Sequence, residues 1–312
     1  MTREAPPRPI AFAWMATSAL LFAAMNFFAR LASSHVSWTV VAMTRALVGG
    51  IVAIAVARIR VAPMRVRDRR GIWGRSLWGT GAMGCTFYAL SCPDLPLGDA
   101  ATLLNLTPVF LALLTPIFLG ERSGRRVAFA LPLSLGGAVL ILHPPFLFGG
   151  ASAMTAAAHL AATVAVVGAL SSSFAMMMLR RIGPYESPEA IAIHFSLTAA
   201  ALLGVLALPH LGDLARAAPR DLGVIVLAGL SAGLAQICMT RAYSLERAAR
   251  VSGVGYLAVV GSALLGAAAL HEWPTAPTLL GMALVIAGGL VVTLLGLREH
   301  RRAPGPLKTE PR

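Results

Sequence analysis

The chain predicts an all-α integral membrane protein with ten transmembrane helices arranged as two inverted five-helix repeats, and three observations lead there. First, 57% of the 312 residues are hydrophobic, 12% are charged and mean hydropathy is +0.75, whereas soluble domains carry about 25% charged residues. Second, the apolar residues come in runs of roughly 18–22, long enough to cross about 30 Å of hydrocarbon as helices. Third, the sequence repeats itself: residues 99–137 and 250–289 are each an apolar stretch ending in a glutamate (Glu121, Glu272), then a polar break, then an apolar stretch with a glycine pair (Gly136-Gly137, Gly288-Gly289). Strand alternation is absent, which argues against a β-barrel. Inside lipid a backbone without such pairing satisfies its polar groups as helix.

Taken in order, the apolar runs place spans at residues 11–30, 38–57, 74–92, 99–119, 126–145, 157–179, 189–209, 221–241, 250–270 and 277–297. Their breaks carry turn punctuation: Pro63, Pro93 and Pro96, Pro144-Pro145, Gly183-Pro184, Pro219 and Pro274. The first run follows Arg3 and Arg8 as in a signal peptide, but it is too long for one and lacks a cleavage site, so an uncleaved first helix is expected. The organisation that results is a cytoplasmic N-terminus (1–10), a first repeat (11–145), an external linker (146–156), a second repeat (157–297) and a disordered basic cytoplasmic tail (298–312).

Charge sets the orientation. With the N-terminus inside, the cytoplasmic segments hold 22 of the 26 Lys and Arg, including Arg58, Arg60, Arg65, Arg67, Arg69, Arg70 and Arg75 in one segment read as a loop on anionic headgroups. The opposite loops hold Arg216 and Arg220, while Arg30 and Arg45 fall within or at the ends of helices. Both termini are therefore expected in the cytoplasm. The Glu121 break carries Arg122, Arg125 and Arg126 and the Glu272 break carries no Lys or Arg. That asymmetry puts the two breaks on opposite faces of the membrane, as inverted repeats with an odd number of helices require.

The net charge of +13 is spent on these loops, with no basic-aromatic patch, which argues against nucleic acid. Cys85, Cys92 and Cys238 form no CxxC pair, and neither metal nor cofactor is expected. Gly79 to Gly84 spell GxGxxG, a dinucleotide signature only between a strand and a helix; here it lies within the third span.

The order of certain residues resembles the drug/metabolite transporter superfamily, specifically the EamA-type carriers. They are Asn26 with Arg30, Arg45, Tyr88-Ala89-Leu90, Asp99-Ala100-Ala101, Pro108 and Gly120-Glu121-Arg122, then Arg241-Ala242-Tyr243, Tyr256, Glu272 and Gly288-Gly289. The resemblance spans residues 11–297 and implies ten helices in two inverted repeats, a central cavity and alternating access. It implies no particular substrate. Two departures stand out: His271 occupies the place of a glycine before Glu272, and Val259 stands where Pro108 has its repeat mate, so the ninth helix is expected to be straighter than the fourth.

Ionisable groups in hydrocarbon cost at least about 2.5–3.5 kcal/mol each, so each calls for a role. Arg45 lies seven residues beyond Trp38, roughly 10 Å along the second helix, and either lines a cavity or snorkels to the headgroups. His194 lies near the equivalent place in the second repeat and is either a cavity residue or a packed one. Asn26, Asn105, Thr107, Gln236 and Tyr256 are polar groups deep in apolar runs, available for interhelical bonds or for substrate. Asn105 and Tyr256 correspond under the repeat and, with Tyr88, are candidates for substrate contact; Pro108 frees a carbonyl mid-helix and is a candidate hinge. All 13 acidic residues fall in loops, tails or helix ends, which speaks against a mid-membrane carboxylate as a proton or sodium carrier. The function expected is secondary transport of a small polar metabolite, carboxylate-bearing or zwitterionic such as an amino acid or nucleotide-derived metabolite, in a bacterial inner membrane, by a monomer or homodimer. A membrane-embedded enzyme acting on a lipid-linked substrate is the alternative. It lacks paired acids or a histidine cluster in the sequence.

Overall fold

The computed structural model describes residues 9–61, 66–119, 127–142, 154–182, 186–245 and 252–300. The Glu121 corner, most of the 146–156 linker, nearly all of the N-terminal segment and residues 301–312 lie outside them. The described chain is all helical. In order come α1 (Pro9–Ser33), α2 (Trp38–Ile59), α3 (Arg69–Ser91), α4 (Leu97–Leu104), α5 (Thr107–Leu119), α6 (Val127–Leu142), α7 (Ala156–Ile182) and α8 (Pro188–Ala207). A 3-10 turn (Leu208–His210), α9 (Leu211–Arg216), α10 (Pro219–Leu245), a second 3-10 turn (Ser252–Tyr256), α11 (Leu257–Leu270) and α12 (Ala276–His300) complete it. Among the described residues, five helical segments are long and apolar enough to cross a membrane: Pro9–Ser33, Trp38–Ile59, Ala156–Leu179, Glu189–Arg216 and Pro219–Met239. The bundle exposes Leu47, Ile51, Leu197, Val205, Leu206, Leu264 and Leu280, a surface suited to lipid rather than water.

Helix starts have local causes. Asp68 caps α3 by accepting from the Gly71 backbone N–H at 2.9 Å, and Ser187 caps α8 by accepting from Ala190 N–H at 3.2 Å, with Pro188 in the first turn. The Asp68 cap corrects the reading of residues 58–75 as one loop: α2 runs to Ile59 and α3 begins at Arg69. At the far end α12 continues through Arg298 to His300, so the last helix outruns its expected limit.

The packing is pseudo-symmetric. α1 lies on α10 and α3 lies on α7; α1 lies on α11 and α7 on α4 and α5; α2 lies on α10 and α3 on α8. Each of these pairings becomes its neighbour when α1, α2, α3, α4–α5 and α6 are exchanged for α7, α8, α10, α11 and α12. The pairs α2–α8, α6–α12 and α4–α11 map onto themselves. Small residues make the close approaches: a Cβ on Gly137 would stand 2.5 Å from the Gly281 carbonyl, and one on Gly229 would stand 2.8 Å from Val48 Cβ. Bare backbone against backbone is how helices gain dispersion contact where lipid removes the hydrophobic drive.

Bonds between connecting segments sort into two sets. In one, Ser37 N–H donates to Asp213, Thr155 donates to Asp94, and Glu272 takes Arg30 and the Leu97 N–H. In the other, Arg60 meets Glu189, and Glu186 accepts from the backbone N–H groups of Arg67 and Asp68. We refer to these as the Arg30 end and the Arg60 end.

The fourth and ninth segments are both broken. α4 stops at Leu104 and α5 restarts at Thr107. Pro108 cannot donate to Leu104 and its ring would clash with that carbonyl; in the first turn of a new helix it does neither. The ninth segment begins as a 3-10 turn and becomes α-helix at Leu257 without a gap. It is therefore wound differently at the mirrored position, although Val259 leaves its hydrogen-bond ladder free of proline.

Candidate functional site

A cavity of about 370 Å³ opens between α2, α3, α7, α8 and α10 toward the Arg60 end. Its wall is apolar along Val52, Val56, Leu179 and Ile191, and Gly49 and Gly233 also line it. Charge sits at two levels. Arg60, Glu186, Glu189 and Arg241 belong to the mouth, where Arg60 and Glu189 pair at 3.4 Å and Glu186 holds two backbone N–H groups at 2.6 and 2.7 Å. Arg45 and Arg75 also line the cavity, each farther along its helix from that end.

Neither deep arginine makes an ion pair among the described residues. Arg45 reaches Met83, its Nη1 lying 3.4 Å from Sδ, and the Arg75 guanidinium lies over the Phe195 ring at 4.7 Å. Sulfur is a weak acceptor and an aromatic face offers a cation only part of what water did. Arg45 Nε and Arg75 Nε and Nη1 are buried without hydrogen-bond partners among the described residues. The two cations are close enough for the charge on Arg75 to act on Arg45. Gly79 makes room for this arrangement: a Cβ there would collide with Arg75 Nη1 and stand 2.9 Å from the Phe195 ring.

Of the residues singled out from sequence, the structure brings Arg45 and Gln236 to this cavity. The others sit elsewhere. Asn26 donates to Ser262 at 3.2 Å and joins α1 to α11. Thr107 donates to the carbonyls of Leu104 (3.2 Å) and Ala169 (3.3 Å), and Asn105 donates back to Ala101 at 2.8 Å, so both finish the backbone at the α4–α5 break. Tyr256 is buried at the mirrored junction, its hydroxyl unpaired among the described residues. His194 bonds Ser76 at 2.8 Å and meets Trp73 edge-on at 4.7 Å between α3 and α8. Tyr88 packs edge-on against Trp38 at 5.7 Å beside an open apolar groove with Gly81, Gly84 and Leu203. Pro108 lies in the first turn of α5.

Sequence reasoning missed Arg75, which was counted among loop charges and lies instead nearly two turns into α3. The signal was present: Asp68 as an N-cap moves the helix start back to Arg69. Arg45 is accordingly not the sole cation inside the bundle. Arg30 is a third, but it is answered: it meets Glu272 at 3.2 Å and donates to the Leu95 carbonyl, with the two side chains 7% and 17% exposed. His271, exposed just before Glu272, holds a left-handed backbone (φ 57°, ψ 24°) to close α11, its N–H and that of Glu272 returning to the Gly266 carbonyl. This is the conformation a glycine takes freely.

A helical membrane bundle with a half-open cavity is the build of a multi-pass membrane transporter, and the chain's relatives give its family. The chain belongs to the EamA-like transporter family, whose signature matches twice, over residues 9–143 and 159–294. It is 30% identical over 233 residues to the pseudopaline exporter CntI of Pseudomonas aeruginosa, across 72% of this chain and 74% of that protein. To the riboflavin transporter of Rhizobium johnstonii it is 26% identical over 221 residues, across 71% and 70%. A solved crystal structure superposes over 94% of this chain and 99% of its own with a TM-score of 0.65 at 22% identity, a likeness of fold.

Proposed function

We propose that the protein is a secondary transporter of a small metabolite bearing a carboxylate or phosphate, or of a zwitterion whose acid end enters first, working by alternating access. The observation that carries this reading is the cavity itself: open at one end, apolar along its sides and ending on guanidinium groups that pair with no carboxylate among the described residues. Burying an unanswered cation is costly, and a substrate anion is the partner that repays it. Arg45 binds the acid group and Gln236 orients the substrate from α10. Asn26, Tyr88, Asn105, Thr107, His194 and Tyr256 stand outside this cavity and enter the proposal as residues that the opposite-facing state rearranges, with Pro108 as the hinge of the fourth segment.

The wider architecture belongs to the same proposal: ten crossings, two inverted five-helix units, both termini in the cytoplasm of a bacterial inner membrane. The pseudo-symmetric pairings support it, as does the sorting of loop bonds into two ends. The Arg60 end, with the expected basic segments, is the cytoplasmic one, so the cavity faces inward. Single-cysteine labelling tests this: positions 121 and 272 should react from opposite faces, and reaction from a common face would end the inverted-repeat reading.

The function is tested in proteoliposomes. Saturable uptake of a labelled carboxylate metabolite, accelerated by unlabelled substrate inside, is the expected behaviour. Arg45→Ala should abolish it and Arg45→Lys should retain part; full activity in both would remove Arg45 from the mechanism.

A further inference from the structure

From the pairing of Arg45 with Arg75 we infer that the site takes a doubly charged anion, with Arg75 as a second binding residue that sets specificity. The inference rests on the anion-transport reading above and sharpens it. One guanidinium is sufficient for one carboxylate, because its planar fork satisfies both oxygens. Here two line a single cavity, on facing helices α2 and α3, and three of their N–H donors lack partners among the described residues. No carboxylate among the described residues pairs with either: Glu189 is engaged by Arg60, and Glu186 is held at the mouth by the Arg67 and Asp68 backbone. Both cations line the same cavity, so a singly charged ligand leaves one of them unanswered. A dicarboxylate or a phosphate monoester neutralises both.

Placement favours ligand over structure as the purpose of Arg75. Its guanidinium lies over Phe195 rather than turning to the mouth, and Gly79, one helical turn along α3, has no side chain to displace it. A snorkelling arginine would need neither accommodation.

The test uses the full chain in detergent with four matched probes: butyrate, 4-aminobutyrate, succinate and glycerol 3-phosphate, compared by thermal shift and by isothermal titration at low salt. Succinate or glycerol 3-phosphate should bind about 10- to 100-fold more tightly than butyrate and 4-aminobutyrate, the range expected for one added charged hydrogen-bonding group. Arg75→Gln should erase that discrimination, and Arg75→Lys should restore part of it; a monodisperse gel-filtration profile verifies that each variant folds. Whichever dianion wins distinguishes a dicarboxylate from a phosphate ester. Equal binding of all four probes, or discrimination that survives Arg75→Gln, overturns the second-anion role and leaves the carrier reading standing. Saturable counterflow of a cationic or neutral solute, with no anion bound, overturns both.

Discussion

The two ends of the bundle treat buried arginine in opposite ways. At the Arg30 end a guanidinium is met by Glu272 and by the Leu95 carbonyl, and the same glutamate takes the Leu97 N–H. Around that knot pack fully buried apolar side chains from four segments, among them Val36, Val40, Phe87, Leu90, Leu95 and Leu97. Toward the Arg60 end, Arg45 and Arg75 touch a sulfur atom and an aromatic ring and line the cavity. One end answers its guanidinium with a carboxylate; the other leaves two guanidinium groups without one among the described residues. The contrast shows that charge burial alone does not mark a functional site. What separates the two ends is whether a carboxylate meets the guanidinium and whether a cavity opens beside it.

Breaking the closed end should cost most. Glu272→Gln leaves Arg30 charged and unmatched and frees the Leu97 N–H of its carboxylate; it should lower stability by about 3–5 kcal/mol, read as melting temperature in detergent. Adding Arg30→Met to that variant should recover a large part of the loss. At the open end the sign reverses: Arg75→Met removes an unanswered cation and should stabilise the ligand-free protein by about 2 kcal/mol while weakening anion binding. Destabilisation by Arg75→Met would place Arg75 with Arg30 as structural. His271→Gly relieves a left-handed residue whose exposed side chain packs on little, and should add about 1 kcal/mol. Smallest is Ser262→Ala, which removes the bond from Asn26 between α1 and α11 and should cost about 0.6 kcal/mol, the usual worth of an interhelical bond in lipid.

Much of the fold is legible in the sequence because its causes are local. Five of the apolar runs reappear as helical segments long and apolar enough to cross a membrane, and Pro108 after Asn105 marks the place where α5 begins. The site is less legible, because cavity lining depends on which way a helix is rotated. Asn105 and Tyr256 correspond under the sequence repeat, and both stand at helix junctions, where Asn105 serves its own backbone. Arg75 is the reverse case: its neighbours Arg69 and Arg70 give it the look of a loop charge, and only the cap at Asp68 draws it into α3. Polarity within an apolar run identifies groups that need a partner. It does not say whether that partner is a neighbouring helix or a solute.

The seam between α6 and α12, where Gly137 and Gly281 meet backbone to backbone, is one of the pairings that map onto themselves when the halves trade places. A cycle in which the halves swap conformations therefore leaves this seam as it is, whereas α2–α10 and α3–α8 must exchange roles, one loosening as the other tightens. Tethering α6 to α12 should leave turnover intact, and tethering α2 to α10 should freeze it. In the alternating-access cycle proposed above, the glycine seam is the fixed axle and the walls of the cavity are the moving parts.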